Sequence, residues 1–155
     1  MQTMLSARED AATILKLYEL RQEAVMRKAR AWIINEFWPG SAEEVFVVYN
    51  DMGTERSAWL RQVTTYWEMA AALVNHGVLA PELFIDTNAE PFFVAAKFWP
   101  WRAEVRKQHP GFLVQLEKLF ERSTPARQKL EEMQSRVAKR AAAQGVTVPE
   151  IQRPD

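Results

Sequence analysis

The chain has 155 residues, with 20 Lys plus Arg balanced by 20 Asp plus Glu. Hydrophobic residues make up 48% and charged residues 26%, the composition of a folded domain and unlike that of a disordered one. There is no Cys, which excludes disulfides, thiolate metal sites and Cys nucleophiles.

At the N-terminus, Ser6-Ala-Arg-Glu9 has capping-box form, a Ser with a Glu three residues on. Behind it, Ile14, Leu17, Tyr18, Val25, Ala29, Trp32, Ile33 and Phe37 recur at threes and fours. No Gly or Pro intervenes before Pro39-Gly40. The pattern predicts one long helix over about 7–38, some 48 Å at about 1.5 Å per residue. That exceeds the width of a compact domain of this size, so its more polar first half is expected to project.

Ser41-Ala-Glu-Glu44 is a second capping box, and Val45–Tyr49 reads as a short helix because no partner strand is visible. Thr54 is the N-cap and Gly77 the left-handed end of a helix over about 54–77. At 100° per residue its apolar side chains cover roughly 200°, twice what a peripheral helix needs. This is therefore the expected central helix. Val78 is placed for the hydrophobic contact that follows such an end.

Pro81 opens a short helix over 81–85. Thr87-Asn-Ala-Glu90 reads as a third capping box, starting a helix over about 88–107 with Pro100 inside it, so a kink is expected near 96–100. After the break at His109-Pro-Gly111, Phe112, Leu113, Leu116, Leu119 and Phe120 make a short amphipathic helix. Thr124-Pro125 opens the last helix, about 125–143, as cap and first residue. Its narrow apolar face (Leu130, Met133, Val137) suits pairing with one helix, and the first half of the N-terminal helix is the expected partner. Residues 144–155, with Pro149 and Pro154, read as a flexible tail.

The signals for chemistry are sparse. The central helix carries a polar stripe of Arg61, Thr65, Glu68 and Asn75, with His76 beside it. If another helix covered the stripe, these groups would line a polar cleft able to hold an anion or move a proton. If not, it is a solvated face. Trp101, after the Pro100 kink, is the Trp expected to be partly exposed; the other Trp residues read as core. His76, His109, Asp86, Glu90, Glu68 and Glu36 could ligate a metal, but neither His has a ligand three or four residues away on its helix, so no cofactor is expected.

The C-terminal third is basic, with Arg122, Arg127, Lys129, Arg136, Lys139 and Arg140 on or beside the last helix. The excess of positive charge that marks a nucleic-acid binder is missing over the whole chain. No phosphate loop, nucleophile elbow or dinucleotide fingerprint occurs. No window reaches 18 uncharged apolar residues, and the first residues do not form a secretory signal, so a cytoplasmic protein is expected.

Tyr66-Trp67-Glu68, Leu73-Val74-Asn75-His76-Gly77-Val78-Leu79, Glu82-Leu83-Phe84 and Trp99-Pro100-Trp101-Arg102 resemble a group of small bacterial helical proteins classed as a domain of unknown function. The resemblance covers roughly residues 55–107. It implies an all-helical bacterial domain and no activity. Some relatives carry an N-terminal membrane helix, a run that this sequence lacks.

The residues thus predict an all-α fold. One domain over 1–143, of six to seven helices around residues 54–77, precedes the tail. The expected role is a non-enzymatic protein-interaction or regulatory module, a homodimer paired through its N- and C-terminal helices. The alternative is a small-molecule-binding protein or weak enzyme using Arg61 and Glu68.

Overall fold

The computed structural model describes residues 4–149; the part of the expected tail over 150–155 lies outside the described residues. Every regular element described is helical. The chain runs α1 (Met4–Leu20), α2 (Ala24–Ala31), a π-helical turn (Trp32–Glu36), α3 (Ala42–Asn50), α4 (Glu55–Asn75) and α5 (Pro81–Thr87). It continues through α6 (Glu90–Phe98), a 3-10 turn (Trp99–Trp101), α7 (Arg102–Val105), α8 (Val114–Arg122) and α9 (Thr124–Ala143). The expectation of six to seven helices is close, and the extra segments come from breaks inside two predicted helices.

The centre is where the sequence placed it. Helix α4 packs against α2, the π turn, α3 and α8. Leu60, Val63, Trp67, Ala70 and Ala71 on it are fully buried, and each large side chain of this kind contributes about 1.5–3 kcal/mol by leaving water. Its ends follow local chemistry. Thr54 Oγ1 accepts the Ser57 N–H at 3.3 Å. Gly77 takes a left-handed φ of 76°, and the Val78 N–H reaches back to the Leu73 carbonyl at 2.9 Å. Val78, expected to make the hydrophobic contact after that end, is 56% exposed, whereas Leu79 is fully buried.

The long N-terminal helix is corrected to two. The chain leaves helical geometry at Arg21–Glu23, with neither Gly nor Pro present. Glu23 replaces them: its carboxylate accepts the Val25 and Met26 N–H groups at 3.1 Å and so starts α2 afresh. Those two bonds hold the Glu23 carboxyl below its ordinary pKa. Residues 32–36 widen into a π turn that closes with Phe37 N–H on the Trp32 carbonyl at 3.0 Å. Pro100 does break the second long helix: α6 stops at Phe98 and a 3-10 turn carries the chain into α7.

Three predicted start signals are also corrected. Ser6 lies inside α1, which begins at Met4. The Thr87 hydroxyl donates to the Leu83 carbonyl at 2.6 Å instead of capping α6, and Glu90 pairs with Arg30 at 2.8 Å. Ser123, one residue earlier than expected, caps α9 by accepting the Ala126 N–H at 3.3 Å. The capping box at Ser41 forms, with Ser41 Oγ on the Glu44 N–H at 3.2 Å and Glu44 reaching back to the Gly40 N–H at 2.6 Å.

The last helix has a different partner from the one expected. Helix α9 lies on α6 and α8, burying Ala126, Leu130, Val137 and Ala141. Helix α6 is therefore enclosed on every side, and each residue from Pro91 to Phe98 is buried. Helix α1, denied α9, rests chiefly against α5.

Candidate functional site

The polar stripe of α4 is covered only in part: Arg61, Glu68 and Asn75 are half-buried and Thr65 is exposed. Ser57 and Thr64 are both buried. The Ser57 hydroxyl donates to the Tyr49 carbonyl at 3.0 Å, and Thr64 donates to the Leu60 carbonyl at 2.7 Å. The end of α3 covers the first part of the stripe and α8 the second.

Arg61 folds over the end of α3. Its guanidinium lies 4.4 Å from the Tyr49 ring centre and donates to the Tyr49 carbonyl. The His109 ring also stacks on Tyr49, at 3.7 Å with 29° between planes.

Glu68 meets the start of α8. Its two oxygens accept the Gln115 and Leu116 N–H groups at 2.8 and 2.9 Å. A helix start leaves its first N–H groups without partners, and a Ser, Thr, Asp or Asn at the cap position commonly accepts one. The cap of α8 is Leu113, with a φ of 56° and no side chain to offer. Glu68, 45 positions earlier in the chain, replaces it. Burial raises the Glu68 pKa above the ordinary carboxylate value, against the pull of the Gln115 and Leu116 bonds.

Asn75 also faces α8, donating to the Gln115 carbonyl at 2.9 Å and to Gln115 Oε1 at 3.0 Å. His76 is exposed at the end of α4. Trp101 is half-buried, with its indole nitrogen enclosed and without an acceptor. The structure thus brings Thr65 and Glu68 to one place, with Arg61 at its edge. Asn75, His76 and Trp101 do not line that place.

The place is a cleft of about 280 Å³ between α4 and the segment 108–113. Tyr49, Thr64, Thr65, Glu68, Gln108, His109 and Phe112 are among its walls. His109, which the sequence offered only as a weak metal ligand, is fixed there by Asn50, with Nε2 2.9 Å from Asn50 Oδ1. Burial, helped by the Arg61 charge, holds the imidazole pKa below its usual value. Among the described residues, no three His, Asp or Glu side chains gather to hold a metal.

A second unusual group escaped the sequence reading. Lys97 is 4% exposed. Its ammonium donates to the Ile33 carbonyl of the π turn and stands 3.8 Å from the Trp38 ring centre. Burial, with Arg140 nearby, pushes its pKa down to about 7. The available signal was one Lys alone in the apolar run Pro91–Phe98.

Three of the basic residues near the C-terminus are committed to the fold. Arg122 donates to the Asn75 carbonyl at 2.8 Å. Lys129 donates to the Ile85 and Asn88 carbonyls at the end of α5. Arg140 lies 5.5 Å from the Trp38 ring centre.

An all-helical domain organised around one polar-striped helix is the class that fold and site define. The chain belongs to the family described as Domain of unknown function (DUF4760), whose model matches residues 6–123. The match stops at Ser123, so α9 lies beyond it. No curated protein and no solved structure matches the chain significantly. No helix among the described residues is long and apolar enough to cross a membrane.

Proposed function

We propose that this chain is a non-enzymatic interaction module that pairs with a second copy of itself through the outer face of α1. One observation carries the reading: Met4, Leu15 and Tyr18 are 79%, 67% and 52% exposed on one helix. With Ala11 they fall within about 60° of arc at 100° per residue, the narrow seam that suits a helix pair. Arg8 borders the seam near one end and Glu19 near the other. Two copies set antiparallel bring each Arg8 to the partner's Glu19, as a two-fold interface requires. The C-terminal helix, expected to share in pairing, has its apolar face covered within the chain.

Sedimentation equilibrium tests this. The full chain is expected at twice its 17.9 kDa mass, and Leu15→Glu with Tyr18→Glu at the monomer mass with an unchanged helical spectrum. A wild-type monomer at tens of micromolar would sink the reading.

A second reading is supported by the cleft beside Glu68. Its walls combine apolar rings with a few polar groups, the usual make-up of a small-molecule site. A ligand there would contact α3, α4 and the segment before α8 together.

A further inference from the structure

The bend between α1 and α2 sits on residues that favour a straight helix. Leu20, Arg21, Gln22, Glu23 and Ala24 all rank among the better helix formers. Two short-range bonds carry the chain through the turn, Gln22 N–H on the Glu19 carbonyl at 3.0 Å and Glu23 N–H on the Leu20 carbonyl at 3.4 Å. Glu23 then has a φ of -59°, already helical, and a ψ of 144°, where a helix needs about -42°. Much of the bend is thus one rotation about ψ of Glu23.

Straightening there gives up the Glu23 carboxylate bonds to Val25 and Met26, and the Arg30 bond to the Arg21 carbonyl at 3.1 Å. In return the Ala24, Val25 and Met26 N–H groups take the carbonyls four residues back. The two forms are close in hydrogen bonding, so the surroundings of α1 decide between them. Among the described residues of α1, Asp10 and Leu17 are buried. Asp10 Oδ2 accepts the Ala80 N–H at 3.2 Å, and the Leu17 carbonyl accepts the Tyr66 hydroxyl. A lone chain that straightened would draw α1 away from α5 and break both bonds. A second copy restores them by laying its own α1 in the same place.

We infer that α1 is an exchangeable arm: in the pair, α1 and α2 join into one helix and each α1 docks beside Ala80 and Tyr66 of the other copy, which rests on the pairing proposed above and names how the partner is held. Exchange of an identical element remakes the contacts of α1 between chains at low cost. It also adds contact surface that the pair needs. The outer seam is Met4, Ala11, Leu15 and Tyr18 on a 17-residue helix, small beside the roughly 1,200 Å² that stable pairs bury. Exchange brings the inner face of α1 into the interface as well.

Ala24→Pro tests the exchange without touching α1. Residue 24 opens α2, a position where Pro is favoured, and the ψ of Glu23 is one that a residue before Pro prefers. Inside a continuous helix the same Pro breaks the ladder. In sedimentation equilibrium of the full chain, Ala24→Pro is expected to weaken pairing at least about ten-fold with the helical spectrum kept. Glu23→Ala removes the cap but keeps a helix former, and should tighten pairing several-fold. Backbone carbon shifts of Glu23 should be helical in the wild-type dimer and extended in Ala24→Pro. Pairing of equal strength in both variants, or a wild-type dimer with Glu23 still extended, would overturn the exchange and leave a pair held by the outer seam alone. A wild-type chain that stays monomeric at tens of micromolar would overturn both.

Discussion

Glu68 and Lys97 are two charged groups in the interior with opposite relations to their surroundings. Glu68 meets two unpaired N–H groups at a helix start, so its charge has donors on both oxygens. Replacing it with Ala leaves those donors without acceptors in a partly closed site. Glu68→Ala is expected to cost about 1–2 kcal/mol, the scale of a lost N-cap, and Glu68→Gln less, since its amide oxygen still accepts one bond. Urea unfolding at neutral pH measures both, and equal stability of the Ala variant and the wild type would remove the capping role. Lys97 meets a carbonyl and ring faces but, among the described residues, no carboxylate. Between its folded pKa of about 7 and the ordinary lysine value near 10.4, the unfolded chain holds a proton that the folded chain has released. Stability therefore rises with pH across that window and is lost as pH falls toward 7, by on the order of a few kcal/mol in all. Lys97→Met should flatten that rise in chemical unfolding experiments from pH 7 to 10.

At the scale of elements, α9 and α1 show how much depends on partner choice. Helix α9 has a narrow apolar face, yet that face completes the enclosure of α6. Leu130 is 3% exposed, and Leu130→Ala is expected to cost about 2–5 kcal/mol, the range for buried Leu truncations. Leu15 on α1 is 67% exposed, and Leu15→Ala should leave the stability of the single chain nearly unchanged. Both are read from one set of denaturation curves. The break between α1 and α2 belongs here too. A three-residue turn closed by a side chain redirects α1 toward α5, and this leaves its outer seam bare.

At the scale of the molecule, the buried apolar residues form one contiguous core that draws on segments from α1 to α9. A single core of this kind unfolds as a unit. Calorimetry should show one transition with calorimetric and van't Hoff enthalpies equal, and two separable transitions would show that α9 melts on its own. The family match ends where α9 begins, while the core does not: Leu130 and Val137 belong to it. Removing residues 124–155 should therefore expose α6 and raise dye binding to apolar surface, whatever its effect on pairing.

The sequence by itself determined the helical class, the central helix and most of the helix ends. These depend on groups three or four residues apart. Thr54 capping at Ser57, Gly77 closing α4 and Pro100 splitting a helix act within a turn or two of their own position. Tertiary structure alone decided which side of α4 is covered, that Glu68 caps a helix 45 positions away, that α9 lies on α6, and that Lys97 is enclosed by rings. Each of these is set by which surfaces meet. Several amphipathic faces here are similar in width and chemistry, so local pattern leaves their pairing open. The split at Arg21–Glu23 lies between the two cases. Its cause is the local Glu23 bonds to Val25 and Met26, but a Glu inside a run of helix formers carries no breaking signal until the fold turns the chain there.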